Sequence, residues 1–450
     1  MEQNKVTYKE IFRESEYRKL IFSNLINRFG DSVDAIAFTW LVYQITHSAA
    51  WSAIVFALNT LPNVVVQPFA GAIVEKLDKK AVIVITNILR AIVITGFAIM
   101  YKFGMVNAAV MAAVTLIITT IESFDLPASS AFTQQVVKKE HLTTGLSLNT
   151  MLSSAATLVG TGIAGIIVAA WGVIPAMIID VVTFLISAAL VAMMKSSKRL
   201  IAIQKADTEK ETSTNGSAGE EEPSVIQTTD KETTAESFLD TFKDGIRYVS
   251  KTPVVRNFCF LCIALNFMLV PINALTAPIA SEIFKQGGEL LSFAGAFASI
   301  GGIVGAALLP YVSAKMSPLK ITCAGIGILG LGILGIAFGG VFSQSAIASY
   351  AAVSVCFFAM MVAASLMGGI LGIQFMKSVD SQYMSRASAV FNASATASMP
   401  VGSLLVSALL ARIATERIML FAAGFAAVVL LVTVLARPEL EKREEIPDAA

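Results

Sequence analysis

Apolar segments of about 20 residues recur along almost the whole chain, and short polar stretches separate them. A segment of this length crosses the hydrocarbon core of a bilayer, and it must be helical there because the backbone finds no water to bond. Of the 450 residues, 55% are hydrophobic and 14% are charged. Soluble proteins carry about 25% charged residues, so the sequence predicts an all-α polytopic membrane protein.

Twelve of these segments are predicted to span the membrane, in two groups of six. The first group covers residues 20–45, 49–74, 81–101, 106–128, 145–170 and 174–194. The second group covers residues 254–281, 290–312, 319–341, 345–371, 387–411 and 415–436. The connections at residues 137–145 and 379–387 have similar residue types at equivalent spacing, as in transporters built from two repeated bundles. We therefore predict one six-helix bundle in residues 1–200 and another in residues 238–438, followed by a tail in residues 439–450.

The segment between the two bundles has a different composition. Residues 201–237 are rich in Thr, Ser and Glu, which predicts a disordered cytoplasmic linker. After it, apolar residues recur at spacings of three and four: Leu239, Phe242, Ile246 and Val249. This spacing predicts an amphipathic helix that lies on the membrane surface before the seventh span.

Basic residues are distributed unequally between the two sides of the predicted spans. One side carries most of them, including Lys19, Lys76, Lys80 and Lys315, whereas the other carries only Lys102, Lys285, Arg412 and Arg417. Cytoplasmic loops are enriched in Lys and Arg. We therefore expect both termini and the linker to be cytoplasmic, in a multi-pass protein of the cell inner membrane.

Several classes of function are disfavoured. The net charge of +1 argues against a nucleic-acid partner. The four cysteines lie in apolar segments and the chain has two histidines, so neither a disulfide framework nor a metal site is expected. No catalytic nucleophile or phosphate-binding loop is recognisable. We expect no cofactor and no enzymatic activity, and we expect the protein to act as a monomer in the lipid bilayer.

The first span carries an unusual set of polar side chains on one helical face, because they follow at steps of three and four residues. They are Asn24, Asn27, Arg28, Asp31 and Asp34. Arg28 can pair with Asp31, and charges inside a span usually face a partner or a cavity. The pair either fixes the orientation of the helix only, or it lines a polar cavity in which Asp31 binds and releases protons.

Charged residues also occur in spans three, four and six. Arg90 requires an acidic partner, for which Asp31 and Asp34 are the candidates. Asp180 is assigned to helix packing or to a gate.

In span four, Glu122 and Asp125 lie near the predicted cytoplasmic end. They are predicted to form an ion-pair latch with the basic loop that holds Lys76, Lys79 and Lys80, and proton coupling is the alternative.

The second half has few polar residues in its spans. It offers Asn266, Asn273 and Asn392 as cavity residues, in a surface rich in Phe and Met. A mostly apolar cavity with few polar anchors suits a bulky amphipathic substrate. Gly301 and Gly305 are among the small residues that permit close contact between helices.

The segment from Gly71 to Lys80, which reads GAIVEKLDKK, resembles the signature loop of the major facilitator superfamily. The family pattern is Gly-x-x-x-acidic-basic-x-Gly-basic-basic, and Asp78 stands here in place of the second glycine. Further matches resemble the macrolide-efflux-like exporters: Gly30-Asp31, Leu61-Pro62, Arg90, Pro127-Ala128, Asn149 and Pro271-Ile272-Asn273. The resemblance implies a twelve-helix transporter in which Glu75 and Lys76 contribute to a cytoplasmic gate.

The leading hypothesis is a proton-driven exporter of a small amphipathic compound such as a macrolide-like drug. A transporter of a natural metabolite, lipid or siderophore is a second hypothesis. A membrane sensor or scaffold that does not transport is a third, and the charges of the first and third spans disfavour it, because no structural role requires so many.

Overall fold

The computed structural model describes residues 14–137, 142–195, 235–379 and 383–435, which are almost entirely helical and contain no strand. The predicted linker, up to residue 234, and the predicted tail lie outside the described residues.

Within the described residues, seven helices form the first half of the chain. They are α1 (Ser15–Thr46), α2 (Ala49–Val65), α3 (Gln67–Lys76), α4 (Lys79–Lys102), α5 (Ala108–Val136), α6 (Leu142–Trp171) and α7 (Val173–Ala192). Helices α2 and α3 make up the predicted second span and meet at an angle of 47°. Pro68 lies in the first turn of α3. It has no N–H to continue the hydrogen-bond ladder of α2, which accounts for the bend.

In the described part of the second half there are seven longer helices. They are α8 (Ala235–Lys251), α9 (Pro253–Ala274), α10 (Glu289–Lys315), α11 (Pro318–Ala337), α12 (Ala346–Ser378), α13 (Met384–Leu410) and α14 (Thr415–Leu435). Helix α9 continues beyond a break at Leu275 through one turn, Thr276–Pro278, and a π-helical turn, Ile279–Ile283. The linker was predicted to extend to residue 237, but α8 already begins at Ala235, so the linker ends earlier than predicted.

The predicted fold class is confirmed. Within the described residues, ten helices are long and apolar enough to cross a membrane, and the bent α2–α3 pair makes eleven. Helix α1 is the twelfth span: it has 32 residues, but Arg28, Asp31 and Asp34 lie in its middle. Asp31 and Asp34 are partly buried within the first half, where α1 packs between α6 and α7.

The two halves meet chiefly through two pairs of helices, α2 with α13 and α6 with α10. The hydroxyl of Ser403 donates to the carbonyl of Ala53 at 2.6 Å, and the hydroxyl of Ser407 donates to the carbonyl of Ala50 at 3.1 Å. These contacts lie at the end of the molecule where α2 begins, which we call the closed side. The end that carries Ser15 is called the linker side.

Helix α8 packs on the linker-side end of α13. A Cβ atom at Gly245 would stand 2.6 Å from the carbonyl oxygen of Arg386, so the two backbones are in close contact. The rings of Tyr248 and Tyr383 stack with their centroids 4.5 Å apart. Asp244 and Arg386 add an exposed ion pair at 3.3 Å.

The spacing predicted that all the apolar residues of α8 face the membrane surface. In the structure they do not. Val249 is 7% exposed and belongs to the core of the second half, whereas Ile246 is 46% exposed. The side chains of Leu239 and Phe242 lie outside the described residues. The prediction was wrong for Val249 because α13 offers α8 a protein surface to pack against.

Helices α10 and α12 are in close contact along a stripe of small residues. A Cβ atom at Gly305 would stand 2.6 Å from the carbonyl oxygen of Val362, and a Cβ atom at Gly301 would collide with the carbonyl oxygen of Phe358. The carbonyl of Gly302 accepts a hydrogen bond from Ser365 of α12, but a Cβ atom at Gly302 would meet no atom of the described residues within 4 Å. The predicted close contact at Gly301 and Gly305 is confirmed.

We expect Gly305→Val to destabilise the protein and Gly302→Val to leave its stability nearly unchanged. Both substitutions place a branched side chain on the same helix, but only the first forces α10 away from α12, at a cost of about 1–3 kcal/mol for overpacking. Thermal unfolding of the purified protein in detergent measures the difference. Equal melting temperatures for the two variants would contradict the proposed helix contact.

Candidate functional site

A buried ion pair lies at the centre of the first half. A terminal nitrogen of Arg90, on α4, is 2.6 Å from a carboxylate oxygen of Asp31, on α1. The guanidinium also lies over the ring of Phe184, on α7, at 4.0 Å from its centroid. Arg90 is 5% exposed. An unpaired charge at this depth would be strongly destabilising, so Arg90 holds α1, α4 and α7 around one point.

Arg28 does not take the role that the sequence predicted. Within the described residues its guanidinium makes no ion pair with Asp31, because Arg90 reaches the same carboxylate from α4. Arg28 lies one turn nearer the linker side, and its side chain is exposed to open space between the helices. The predicted pairing was therefore wrong, although Arg28 and Asp31 do share one face of α1.

The other polar residues of α1 make separate contacts. The amide of Asn24 donates to the amide oxygen of Asn149, on α6, at 3.0 Å. The amide oxygen of Asn27 is buried and has no hydrogen-bond partner among the described residues. Asp34 lies one turn beyond Asp31, towards the closed side, and faces a second open space. The polar face of α1 thus follows the length of the cavities described below.

Asp125 and Glu122 lie deeper in the molecule than predicted. Helix α5 extends to Val136, so Asp125 is 11 residues, or about 17 Å, from its linker-side end. Its carboxylate accepts a hydrogen bond of 2.7 Å from the hydroxyl of Thr86 and is 8% exposed. The prediction that these carboxylates lie beside the basic loop was wrong, because the polar last turns of α5 were not counted as part of the helix.

The signature loop joins α3 to α4 on the linker side. Asp78 takes an extended conformation, with φ at −70°, and its carboxylate accepts from the backbone N–H of Lys80. It therefore caps α4, and the turn has no need of the family's glycine. The ammonium of Lys80 donates to the carbonyls of Ala192 and Met194 at 2.7 and 2.5 Å.

The remaining loop residues are on the surface. The ammonium of Lys79 donates to the carbonyl of Glu75, and Lys76 is exposed. A Cβ atom at Gly71 would meet no atom within 4 Å. In this conformation the loop contacts the end of α7, and its gating role stays a prediction.

Two neighbouring cavities that share lining residues surround the ion pair. The polar cavity, of about 240 Å³, opens among α1, α4, α5 and α6, and its lining includes Asn24, Asn27, Asn87, Asp125, Ser130 and Asn149. The central cavity, of about 470 Å³, is lined in part by Phe38, Val55, Phe56 and Ile118. Four charged residues line both cavities: Arg28, Asp31, Arg90 and Glu122. Charge and apolar surface therefore meet at the level of Asp31.

The second half contributes little to these cavities. Asn273 and Ala274, at the end of α9, line the central cavity. The amide of Asn266 donates to the carbonyl of Cys262 on its own helix, and Asn392 is exposed on α13. Of the three asparagines proposed for the substrate cavity, the structure brings only Asn273 to the charged residues.

The sequence of this chain matches the Major Facilitator Superfamily over residues 20–402. The chain belongs to this family of transporters. Its fold is that of the nucleoside transporter NupG, whose crystal structure superimposes with a TM-score of 0.69 over 96% of this chain and 100% of that chain, at 12% identity. Both the family and the fold are those of transporters and not of enzymes.

Proteins with efflux in their names are among the relatives. The multidrug efflux pump Tap of Mycolicibacterium fortuitum is 25% identical over 311 residues, which are 66% of this chain and 67% of Tap. The macrolide efflux protein A of Streptococcus pyogenes is 22% identical over 377 residues, which are 84% of each chain. The resemblance to the exporter branch is confirmed.

On the closed side of the transporter, one carboxylate joins several helices. Glu282, in the π-helical turn after α9, accepts hydrogen bonds with both carboxylate oxygens. One comes from the hydroxyl of Tyr43 on α1, at 2.9 Å, and the other from the hydroxyl of Thr415 on α14, at 2.5 Å. Trp40 of α1 lies against Gly288, at the start of α10. The contacts of Tyr43 with Glu282 and of Trp40 with Gly288 join the two halves on the closed side.

Asp180 lies at the contact between α1 and α7, as its packing interpretation predicted. It is 1% exposed, and a Cβ atom at Gly30 would stand 2.8 Å from its carboxylate. The hydroxyl of Thr183 lies 3.5 Å from the same carboxylate. Gly30 therefore lets α1 approach the buried acid of α7.

We expect Arg90→Met to destabilise the transporter by about 3–5 kcal/mol, because it leaves Asp31 without its buried partner. The double variant Asp31→Asn/Arg90→Met removes both charges and should recover part of this loss. Arg28→Met, which removes an exposed guanidinium from the same region, should change stability by about 0.5 kcal/mol or less. Thermal unfolding of wild type, of the single variants Asp31→Asn and Arg90→Met and of the double variant measures the coupling, and additive losses would contradict the ion pair.

Proposed function

We propose that this transporter exports small amphipathic compounds, macrolide-like drugs among them, in exchange for protons and by alternating access. The observation that supports this best is the Asp31–Arg90 pair, which lies where the polar and central cavities meet. A group that couples two fluxes must contact both the substrate path and the proton path, and Asp31 lines both cavities.

Protonation of Asp31 would change the electrostatics of the whole site. The carboxylate is partly accessible, with 21% of its side chain exposed, while the side chain of Arg90 is 7% exposed. A proton on Asp31 removes the charge that balances Arg90, which then acts on the carboxylates of Glu122 and Asp125. A buried arginine that changes its partner shifts the packing of α1 against α4, which is the kind of bistable contact that alternating access requires.

The arrangement of the two halves supports an opening towards the linker side. The hydrogen bonds through Ser403, Ser407 and Glu282 join the halves on the closed side, and the polar cavity lies towards the linker side. The linker side also carries Lys76, Lys80 and other basic residues, which favours a cytoplasmic location. We therefore propose that both termini are cytoplasmic and that this conformation faces inward.

In the outward-facing state the signature loop would act as the cytoplasmic gate. Glu75, Lys76 and Lys80 lie at the linker-side ends of α3 and α4, where the two halves would approach each other. The contacts of Lys80 with carbonyls of α7 hold the loop within the first half. The loop can thus move as one body with that half.

The size and lining of the central cavity support an amphipathic substrate. Its volume of about 470 Å³ lies within the range of small-molecule sites, about 300–1,000 Å³. Phe38, Phe56 and Ile118 offer apolar contact on one side, and Asn59 and Thr115 offer hydrogen bonds. The relatives named as multidrug and macrolide efflux proteins favour a drug over a sugar or an inorganic ion.

We expect Asp31→Asn to abolish efflux driven by a pH gradient in proteoliposomes, because the amide neither binds nor releases a proton at this site. Exchange of labelled for unlabelled substrate, which needs no proton, should persist. Asp244→Asn removes an exposed carboxylate of α8, outside both cavities, and should leave both activities unchanged. Gradient-driven efflux at the wild-type rate in Asp31→Asn would refute the assignment of proton coupling to this residue.

We expect Glu282→Ala to shift the conformational equilibrium towards opening of the closed side. The substitution removes the hydrogen bond from Tyr43 that joins the two halves, whose net contribution is about 1 kcal/mol, and also the bond from Thr415 within the second half. Spin labels at Phe103 and Val341, which are 72% and 77% exposed and lie on this side in different halves, report the separation. An unchanged distance distribution would show that Glu282 does not hold this side closed.

A further inference from the structure

Glu122 lines both cavities and has no partner of its own. Within the described residues its carboxylate makes no hydrogen bond and no ion pair, although Arg90, Arg28 and two carboxylates lie near enough to influence it. It lies on α5 about 21 Å from the linker-side end of the helix at Val136. An acidic side chain inside a membrane span is costly and usually faces a cavity or a partner. Here the partner must come from the cavity.

A second observation indicates what that partner carries. Asn87 is 1% exposed and lines the polar cavity; its amide nitrogen bonds the carbonyl of Ile83, but its amide oxygen has no donor. The amide oxygen of Asn27, in the same cavity, also has none. A buried acceptor without a donor costs about 1–3 kcal/mol. These acceptors, together with Glu122, fit a group that donates hydrogen bonds and carries positive charge.

The charges of the polar cavity favour the same conclusion. Asp31 and Arg90 neutralise each other, and the carboxylate of Asp125 is bonded to Thr86. Arg90 retains one unpaired donor, its Nε, but its charge is already balanced. The other charged residues of the lining are Asp125, which keeps its negative charge, Glu122 and Arg28. Arg28 is exposed to water, so its charge is screened more than that of Glu122.

The apolar wall adjoins Glu122 directly. Ile118, one turn away on the same face of α5, lines the central cavity together with Phe38 and Phe56. A ligand that places a charged group on Glu122 therefore lays its apolar body on these side chains.

We propose that Glu122 is the binding site for a protonated amine of the substrate, and that the amide oxygens of Asn87 and Asn27 accept hydrogen bonds from the same end of the molecule. The substrate class is then an apolar body with a basic amine. This proposal rests on the proposed transport function and adds to it the residue that recognises the substrate's charge.

The test uses a matched pair of fluorescent probes with the purified full-length protein in detergent. Monodansylcadaverine carries a primary ammonium on an apolar dansyl body, and its N-acetyl derivative has the same body without the charge. We expect wild-type protein to bind the amine at least tenfold more tightly than the acetylated probe, as one charged hydrogen bond implies. We expect Glu122→Gln, which preserves size and shape, to bind the two probes equally.

Two further variants separate recognition from folding. Glu122→Asp keeps the carboxylate and should retain a preference for the amine, and Asp244→Asn should behave as wild type. Equal binding of the two probes by wild-type protein, or an undiminished preference in Glu122→Gln, would overturn the proposal. Neither result bears on proton coupling, which the Asp31→Asn efflux assay tests separately, so the two proposals can fail independently.

Discussion

The requirement to neutralise Arg90 inside the membrane determines how the first half is built. A guanidinium at this depth needs an anion within contact distance, and Asp31 provides it at 2.6 Å. This contact fixes the rotation of α1, because the rest of the polar face then points into the two cavities. The ring of Phe184 on α7 completes the enclosure. The cavities, their shared charged lining and the exposure of Glu122 all follow from this placement of α1.

The sequence was sufficient to predict the twelve-helix fold, because hydropathy over about 20 residues depends on the bilayer and not on tertiary contacts. It failed where a helix continues beyond the apolar segment. The last turns of α5 contain Ser129, Ser130, Gln134 and Gln135, so the span was predicted to end at residue 128 instead of Val136. Because of that error, the predicted arrangement placed Glu122 beside the basic loop, whereas the structure places it in the cavities.

The candidate site could be predicted in part. Two aspartates of α1 could be predicted as candidate partners of Arg90, because a buried charge requires a counter-charge. Which of Arg28 and Arg90 pairs with Asp31 depends on how α1 and α4 pack, and the sequence does not show this. The group around Glu282 had no signal in the sequence, since Tyr43 is 239 residues away and Thr415 is 133 residues away. Hydrogen bonds between distant segments leave no periodic pattern.

The seam between α2 and α13 has a consequence for how often the two halves can part and rejoin. Ser403 and Ser407 donate to backbone carbonyls of Ala53 and Ala50, and a carbonyl has a second lone pair besides the one used within its helix. Breaking these contacts leaves α2 intact and frees only two hydroxyls, each of which can turn to water or to its own helix. The two halves can therefore separate and rejoin at this seam repeatedly, because neither α2 nor α13 has to unfold when the contact breaks.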